Sequence, residues 1–268
     1  MKARLNYEFD VQHQVEIIDA FIKNYFVDNG TPNTKAVIGI SGGKDSTIAA
    51  ALLVRALGKD RVIGVRMPNG YQTDAQDAAE VCAILGIQSY LINIGDTYNH
   101  LCAEFTGTGL PINAQIETNT PARLRMAALY MVAAAVGGRV CNTGNASERF
   151  IGYTTKYGDL AGDFALLSDL TVREIYAIGD YLELPMDLVH KHPADGMSGK
   201  TDEDNTGIPY DAIDDFLLQG IIPDMEIYER MIAANKRNTH KECIKLPHPH
   251  RSGLCLRHHT EVCEDFYF

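Results

Sequence analysis

The chain has 268 residues, 46% of them hydrophobic, which is enough to build one large core. Its 24 Lys and Arg residues against 35 Asp and Glu residues give a net charge of −11. An acidic protein repels a phosphate backbone, so the composition argues against a broad nucleic-acid surface and leaves only a local basic cleft open.

Membrane and secretion signals are weak in this sequence. The longest strongly apolar run, Met126 to Val136, is far shorter than the roughly 18 residues of a membrane span. The first residues, Met1-Lys2-Ala3-Arg4, lead into a charged segment without the apolar core of a signal peptide. Six dispersed cysteines are typical of reduced thiols. We expect a cytoplasmic protein with no membrane segment and no disulfides.

The predicted elements alternate along the chain. Apolar residues at helical spacing from Val11 to Tyr25 predict an amphipathic packing helix that ends near Asn29-Gly30. Strands are then predicted at 35–41, 61–66, 89–94 and 139–142, and helices at 45–57, 75–85, 121–136 and 172–182. Such alternation is typical of right-handed βαβ units, so we predict an α/β fold with a parallel sheet and one domain over 1–268.

The last quarter of the chain is less regular. Segment 192–209 has little periodicity and predicts a long loop, of the kind that often forms a lid, before helices at 210–218 and 224–234. The pattern does not predict the structure of a C-terminal extension, 247–268. Crowded Cys and His side chains there and just before it tempt a zinc interpretation: Cys243, His248, His250, Cys255, His258, His259 and Cys263. They lack C-x-x-C pairs, so an extension without metal is preferred.

The strongest motif is a glycine-rich loop between a predicted strand and a predicted helix: Gly39-Ile40-Ser41-Gly42-Gly43-Lys44-Asp45-Ser46. Its glycines let the backbone approach a ligand with φ > 0, so that successive N–H groups face an anion. The helix start adds the positive end of its dipole, and Ser41, Ser46 and Thr47 add hydroxyl donors. The motif predicts a pyrophosphate cradle; the alternative is a glycine-rich turn without a ligand.

This loop is not a Walker A motif, which needs four residues between its glycines and a Gly-Lys-Ser/Thr ending. An SGG-x-DS loop after a strand resembles the PP-loop of ATP pyrophosphatases. These enzymes bind the β and γ phosphates of ATP as a leaving group and adenylate a carbonyl or carboxylate. The resemblance therefore implies ATP as a co-substrate.

Further motifs follow the loop in a defined order. They are Asn119-Thr-Pro-Ala-Arg-Leu-Arg125, Asn142-Thr-Gly-Asn-Ala-Ser-Glu148, Thr155-Lys-Tyr-Gly-Asp159 with Asp163, Tyr210-Asp-Ala-Ile-Asp-Asp215, and His240-Lys241. In this order and spacing, the set resembles the NAD synthetase family from the N-terminal helix to Pro247. The resemblance implies a doubly wound, Rossmann-like, adenine-nucleotide-hydrolase-like α/β domain and a homodimer. Glutamine-using members carry an extra amidase domain for which this length leaves no room, so free ammonia is the implied nitrogen donor.

The resemblance also implies roles for individual residues. The implied ATP-binding set is Gly39, Ile40, Ser41, Gly42, Gly43, Lys44, Asp45, Ser46, Arg66, Met67 and Thr143. The implied Mg²⁺ ligands are Asp45 and Glu148, and carboxylates are ligands that this cation prefers. The implied deamido-NAD set is Arg123, Lys156, Asp163, His240 and Lys241. Taken singly, these residues could also be helix-surface cations, loop caps or part of a solvated tail.

The implied reaction amidates deamido-NAD in two steps. The substrate carboxylate attacks the α-phosphorus of ATP, and pyrophosphate leaves into the cradle while Mg²⁺ and Lys44 neutralise charge. Ammonia then displaces AMP from the acyl-adenylate. The candidate catalytic residues are Lys44, Asp45 and Asp163, the last to orient ammonia. Neither a nucleic acid nor a membrane is an expected partner.

Two other functions stay open at this point. Lys44 favours a PP-loop enzyme that modifies tRNA, because synthetases more often carry an uncharged residue there, but the net charge and the absence of C-x-x-C disfavour it. A nucleotide-binding regulator would bind ATP without releasing pyrophosphate. The chain also departs from the family at Val172, which replaces a lysine that faces ATP and has Arg173 beside it, and at Pro193 and Glu242.

Overall fold

A computed structural model describes residues 7–71, 75–190 and 201–241. The strands are β1 (Lys35–Gly39), β2 (Val62–Arg66), β3 (Gln88–Leu91), β4 (Gly138–Asn142) and β5 (Phe164–Ala165). They form one five-stranded sheet in the order β3-β2-β1-β4-β5, and all neighbouring strands are parallel. In the centre of the sheet, Ala36 of β1 pairs with Val62 on one side and Arg139 on the other.

Helices connect and cover these strands. The α-helices are α1 (Val11–Asp28), α2 (Lys44–Leu57), α3 (Ala75–Ile84), α4 (Gly95–Thr106), α5 (Ala114–Val136), α6 (Ala146–Ile151), α7 (Val172–Tyr181), α8 (Met186–Val189), α9 (Asp202–Thr206), α10 (Tyr210–Gln219) and α11 (Met225–Asn238). Two short 3₁₀ helices span Lys59–Arg61 and Thr239–Lys241.

The sheet is buried on both faces, which is why β1 is apolar at consecutive positions. Ala36 and Ile38 pack on the face covered by α1, α2, α3 and α7, whereas Val37 packs on the opposite face against α5. Side chains alternate between faces along a strand, so a strand between two helical layers needs apolar residues throughout. This arrangement confirms the predicted doubly wound α/β fold.

A third apolar cluster builds the C-terminal part of the described chain. It joins α6, α10 and α11 to the side of α7, and its aromatic centre contains Phe150 and Phe216 with ring centroids 5.6 Å apart. Tyr228 of α11 packs edge-on against Phe216 at 5.7 Å. Because this cluster adjoins α7, it brings the start of α10 close to the loop between β1 and α2.

The strand order creates a crevice beside the carboxyl end of β1. The chain runs from β1 outward through β2 and β3 and then returns to the other side of β1 with β4. At such a reversal the loops after the two central strands leave in opposite directions, and open α/β sheets bind ligands there. The loops after β1 and β4 carry the glycine-rich motif and the segment that contains Glu148.

The structure corrects several predicted boundaries. Helix α5 begins at Ala114 rather than near residue 121, so Pro121 lies inside it. The side chain of Asn113 caps this earlier start by accepting a hydrogen bond from the Ile116 amide at 3.1 Å. Pro121 removes one amide donor but is itself buried, so packing offsets the lost bond. Strand β3 ends at Leu91, three residues before the predicted end.

The predicted loop 192–209 contains a short helix, α9. Thr201 and Asp204 form a reciprocal capping box, which stabilises a turn that lacks the apolar periodicity of a longer helix. The prediction was therefore wrong over 202–206. Residues 191–200 and the extension 247–268, together with Pro193, Glu242 and the Cys and His residues of the tail, lie outside the described residues. In the three described ranges, no helix combines the length and apolar character that crossing a bilayer requires.

The core prediction concerns Phe164, which is fully buried and contacts the rings of Tyr25 and Phe26 at 4.7 and 5.5 Å. We expect Phe164→Ala to lower the free energy of unfolding by about 3 to 5 kcal/mol, because it removes a ring and leaves a cavity. Urea unfolding followed by circular dichroism measures this. Val27→Ala on the exposed side of α1, where Val27 is 78% exposed, serves as the control and should change it by less than about 0.5 kcal/mol.

Candidate active site

The loop between β1 and α2 has a backbone shape that requires glycine. Gly42 has φ +84°, and a Cβ there would lie 2.7 Å from the Asp77 Cβ and 2.9 Å from the Ala78 nitrogen. Gly43 is the N-cap of α2 and no side chain caps this helix start. The first-turn amides of α2 are thus left for an anion, and the helix dipole favours negative charge at this end.

The hydroxyls of the loop divide into two groups. Ser41 and Ser46 lie 3.1 Å apart through their Oγ atoms, and both line a cavity at the carboxyl end of the sheet. Ser46 and Thr47 both donate their hydroxyl hydrogens to the Gly43 carbonyl oxygen, at 3.1 and 2.8 Å, but Thr47 is 1% exposed and does not line the cavity. Two of the three predicted hydroxyl donors therefore face the cavity, and the third stabilises the loop.

The cavity joins the loops after β1 and β4. It encloses about 190 Å³ and is lined by Ser41, Gly43, Asp45, Ser46, Thr143, Gly144, Glu148, Thr154 and Asp159. Most of the predicted phosphate and metal residues are thereby brought together, including Thr143 after β4. Sequence reasoning missed Thr154, for which there was no signal. Asp159 belongs to the motif Thr155-Lys-Tyr-Gly-Asp159 but was not predicted to be a site residue.

Asp45 and Glu148 come close through Asn145. Asn145 caps α6: its side chain accepts a hydrogen bond from the Glu148 amide at 2.9 Å, and its own amide donates to Glu148 Oε2 at 3.2 Å. The Asn145 Nδ2 also donates to Asp45 Oδ1 at 3.3 Å, across 100 residues of sequence. Burial, and then the neighbouring charge of Asp45, raise the pKa of Glu148 to about 8. Two carboxylates thus share one cavity, and the nearby charge of Lys44 does not offset the effects of burial and of their mutual repulsion on Glu148.

This donor set fits a hard divalent cation. Carboxylate, amide and hydroxyl oxygens are the ligands that Mg²⁺ takes. Over residues 7–71, 75–190 and 201–241, however, no group of three or more His, Cys, Asp or Glu side chains is arranged to hold a metal. A cation at Asp45 and Glu148 would therefore need further oxygens from phosphate or water.

Lys44 places a buried positive charge beside these carboxylates. Its side chain is 3% exposed, and its Nζ lies 2.9 Å from Asp45 Oδ2. The same Nζ lies 5.9 Å from the ring centroids of Tyr176 and Tyr210. Burial lowers the pKa of Lys44, but the charges of Asp45 and Glu148 raise it by more, so its pKa is above the usual value. The group is an ammonium ion at neutral pH.

Four residues predicted to bind the second substrate are neighbours. Arg123 Nε donates to the Lys156 carbonyl oxygen at 3.2 Å, and Lys156 Nζ donates to the His240 carbonyl oxygen at 2.7 Å. Lys241 Nζ donates to the Thr154 carbonyl oxygen at 2.8 Å, which connects this basic group to the cavity wall. Through Thr154, the residues predicted to bind deamido-NAD therefore adjoin the residues predicted to bind ATP and Mg²⁺.

Asp159 lies at the same junction. Its Oδ1 accepts a hydrogen bond from the Thr155 amide. Burial raises the pKa of Asp159 to about 6, although amide donors and the charge of Lys241 act in the opposite direction. A carboxylate with this pKa in a cavity wall can accept a proton near neutral pH.

Asp163 lies apart from the cavity lining. Its Oδ1 accepts a hydrogen bond from the Tyr130 hydroxyl at 3.1 Å, and its Oδ2 accepts one from the Val140 amide at 2.7 Å. Both carboxylate oxygens thus tie the start of β5 to α5 and β4. Its proposed role in orienting ammonia stays a prediction.

Of the remaining predicted residues, Arg66 and Met67 lie at the end of β2, and Ile40 follows β1. Met67 accepts a hydrogen bond from Arg125 Nε at 2.9 Å through its carbonyl oxygen, and its side chain packs beside Gly39. Arg66 has a buried Nε with no hydrogen-bond partner within the described part of the chain. Ile40 is 3% exposed and packs in the core. Met67, which is predicted to bind ATP, therefore lies next to the start of the phosphate loop.

The departure at Val172 has a structural counterpart. Val172 is 5% exposed and packs in the apolar cluster that contains Phe216. Arg173 beside it forms ion pairs with Asp215 at 2.8 Å and Asp211 at 3.3 Å. Arg173 therefore connects α7 to α10, whereas Lys44 lies 2.9 Å from Asp45, one of the predicted metal ligands.

The charge of Glu148 predicts a pH-dependent stability. Its folded pKa of about 8 exceeds its usual value of 4.5, so its favourable contribution is complete below pH 4.5 and is lost as pH rises through about 8. Glu148→Gln keeps an acceptor for the α6 cap without the buried charge. In EDTA we expect it to raise the free energy of unfolding by on the order of 1 kcal/mol at pH 8 and by little at pH 4.5. Urea unfolding at both pH values measures this; exposed Glu229→Gln is the control, and an equal change at both values would contradict the prediction.

Known proteins share both the sequence and the fold of this chain. The family model described as NAD synthase matches residues 14–247. The NH(3)-dependent NAD(+) synthetase of Alkaliphilus metalliredigens is 34% identical over 241 residues, covering 85% of this chain and 96% of that protein. Among solved structures, the NMN synthetase of Francisella tularensis has a TM-score of 0.81 at 33% identity, covering 89% of this chain and 98% of that one.

A second solved structure, the NH3-dependent NAD synthetase of Campylobacter jejuni, has a TM-score of 0.70 at 29% identity and covers 90% of this chain and 98% of that one. The similarity therefore spans the sheet, the phosphate loop and the basic group around Lys156. By sequence, by fold and by the order of its motifs, the chain belongs to the NAD synthase family.

Proposed function

We propose that this protein is an ammonia-dependent NAD synthetase, which converts the carboxylate of deamido-NAD into an amide with ATP. The observation that carries the proposal is one cavity that joins a glycine-rich phosphate loop to paired carboxylates, in a chain of the NAD synthase family. The relatives of this chain from Alkaliphilus metalliredigens and Pyrococcus furiosus are NH(3)-dependent NAD(+) synthetases at 34 and 35% identity.

The phosphate loop supports the adenylation step. An oxygen of the substrate carboxylate attacks the α-phosphorus of ATP, and the bond from that phosphorus to the bridging oxygen breaks, so its electron pair leaves with pyrophosphate. The first-turn amides of α2 and the hydroxyls of Ser41 and Ser46 hold the departing phosphates. Lys44 offsets their growing charge in a site of low dielectric, where such preorganised charge is most effective.

Asp45 and Glu148 are the residues that would hold Mg²⁺, with Asn145 fixing the position of each carboxylate. The bound cation supplies charge neutralisation at the phosphate oxygens. The shortage of positive charge beside Glu148 supports this assignment.

The second step needs a group that orients ammonia and takes up a proton. Ammonia attacks the acyl carbon, AMP leaves with the electron pair of the carbon–oxygen bond, and one proton must be released from nitrogen. Asp159 lines the cavity, and burial raises its pKa to about 6, whereas Asp163 is not among the residues that line the cavity. We therefore place Asp159 ahead of Asp163 for this role.

The identity of the second substrate has one alternative. The basic group formed by Arg123, Lys156, His240 and Lys241 suits the phosphates of deamido-NAD, and Arg123 can bind two oxygens at once. The similarity to an NMN synthetase structure at a TM-score of 0.81 favours the acid mononucleotide as a second candidate. Both substrates carry the same reacting carboxylate.

An assay of products tests the proposal. The purified protein with ATP, Mg²⁺, ammonium and deamido-NAD should form NAD, AMP and pyrophosphate in equal amounts, measured by chromatography. The kcat/KM for deamido-NAD should exceed that for the acid mononucleotide by about tenfold or more, because the dinucleotide makes further contacts. Glutamine in ammonium-free buffer should give no product.

The opposite ratio of kcat/KM would establish the second candidate instead. ATP binding without pyrophosphate release under any of these conditions would contradict both proposals and leave a nucleotide-binding regulator. Pyrophosphate release that requires added tRNA would establish the tRNA-modifying alternative.

We also propose that the protein is a homodimer that pairs through α4 and α5. This side of the sheet exposes large apolar side chains: Leu91, Leu101, Leu110, Ile112, Tyr130 and Met131. Large apolar side chains exposed on and beside two packed helices are typical of an interface, and a second copy offers the same side chains to cover them around a two-fold axis. The predicted cytoplasmic location and the single domain over 1–268 stay predictions.

Met131→Glu tests the dimer, because Met131 on α5 is 72% exposed and a buried, unpaired carboxylate would disfavour pairing. We expect the native protein to elute at twice its 29.5 kDa mass in light-scattering chromatography and the variant to shift to the monomer mass with an unchanged melting profile at high dilution. Val27→Glu on α1 is the matched control, since Val27 is 78% exposed on a different face. A monomeric native protein would contradict this prediction.

A further inference from the structure

Lys44 keeps its charge in a position that water barely reaches. It is 3% exposed, and its one ion-pair partner in the described chain is Asp45, at 2.9 Å. A buried ammonium needs compensating groups, because removing a charge from water without a partner is strongly unfavourable. Asp45 therefore stabilises Lys44 as long as its Oδ2 is available.

The same carboxylate is the proposed metal ligand, so the two roles compete. Asp45 Oδ1 already accepts the Asn145 amide at 3.3 Å, and Oδ2 accepts Lys44. If Asp45 held a divalent cation, its attraction for Lys44 would weaken. Lys44 then depends on its other neighbours until it meets the phosphate oxygens of ATP.

Besides the acidic side chains of Glu148 and Asp202, those neighbours include two aromatic rings from different helices. Tyr176 of α7 and Tyr210 of α10 each lie 5.9 Å from Lys44 Nζ, measured to the ring centroid. A cation within about 6 Å of a ring centroid is attracted to the negative face of the ring. Burial raises the pKa of both tyrosines, so both rings are neutral phenols at physiological pH.

Each ring is itself held by a second contact. Tyr176 stacks on His190 with centroids 5.0 Å apart and planes 11° from parallel, and His190 Nε2 lies 2.7 Å from Asp180 Oδ1. Tyr210 is held by acidic side chains instead: its backbone amide donates to Glu203 Oε1 at 2.7 Å, and its hydroxyl donates to Asp202 Oδ2 at 3.3 Å. The rings are therefore anchored independently of Lys44.

We infer that Tyr176 and Tyr210 are positioning residues, whose ring faces hold the Lys44 ammonium beside the phosphate loop when Asp45 binds a cation. The inference deepens the proposed function and rests on it for the part that Lys44 faces ATP. It assigns to α7 and α10 a direct effect on nucleotide binding, although neither helix belongs to the phosphate loop. The side chain of Val172 at the start of α7 is apolar and packed, so it cannot provide a positive charge toward ATP. Lys44 provides that charge instead.

A double-mutant cycle on nucleotide affinity tests the inference. The ligand is α,β-methylene-ATP with Mg²⁺, which is not cleaved at the reacting bond, and the measurement is calorimetry. Tyr176→Leu should weaken binding about tenfold, equal to 1.4 kcal/mol, whereas Tyr176→Phe should stay within about twofold because it keeps the ring. In the Lys44→Met background, Tyr176→Leu should have less than about a twofold effect.

Tyr210→Leu repeats the cycle from the other helix and carries the test should Tyr176→Leu not fold, as judged by its melting profile. Pentafluorophenylalanine at position 176 preserves the ring shape but withdraws electron density from its face, so it should bind nucleotide as weakly as Tyr176→Leu. Tyr228→Leu is the matched control, since Tyr228 packs on Phe216 in the same part of the fold without contacting Lys44, and its affinity should be native.

The inference is overturned by an equal loss in Tyr176→Phe and Tyr176→Leu, by native affinity in the fluorinated protein, or by an undiminished effect of Tyr176→Leu in the Lys44→Met background. Because this experiment measures nucleotide binding, its outcome can be distinguished from that of the product assay, which tests the proposed function. A protein that shows this cycle but forms no amide would contradict the synthetase assignment and leave the positioning role intact.

Discussion

The pairing of β1 with β4 is the constraint on which the site depends. These parallel strands lie side by side in the centre of the sheet, so the loops that follow them leave from adjacent points in opposite directions. One loop carries the phosphate cradle and Asp45, and the other carries Asn145 and Glu148. The hydrogen bond from Asn145 to Asp45 fixes their separation directly. Residues far apart in sequence thus meet because of strand order, and the apolar residues on both faces of β1 maintain that order.

The site holds more charge than its burial favours. Asp45, Glu148 and Asp159 line one small cavity, and the buried Lys44 lies beside Asp45. Burial raises the pKa of Glu148 and of Asp159, so the protein alone does not fully stabilise these carboxylates. Functional sites are often less stable than the fold around them, because their groups are arranged for a charged ligand rather than for each other. Here the rigid parts are the sheet and the capped start of α6. The energetic cost is concentrated in side chains that substrate binding would neutralise.

Sequence patterns predicted the fold class and the phosphate loop because both depend on local signals. Alternating strands and helices, and glycines before Lys44, are visible over short windows. The short elements were not predicted: β5 has two residues and α9 has five, and tertiary contacts and a capping box stabilise them rather than periodicity. Thr154 and the tyrosine pair around Lys44 could not be predicted, since their positions result from the packing of α6, α7 and α10. The start of α5 was misplaced because proline was taken as a boundary, although the residues before it continue the helix.

The side chain of Asp163 has a consequence for the edge of the sheet. Strand β5 is so short that it leaves part of β4 without a neighbouring strand, and an exposed strand edge can pair with another chain. The Asp163 carboxylate accepts the hydrogen of the Val140 amide at that point. The hydrogen bond from Tyr130 keeps it there. The residue that precedes a two-residue strand thus occupies one amide donor of β4, which is then not available for pairing with a further strand.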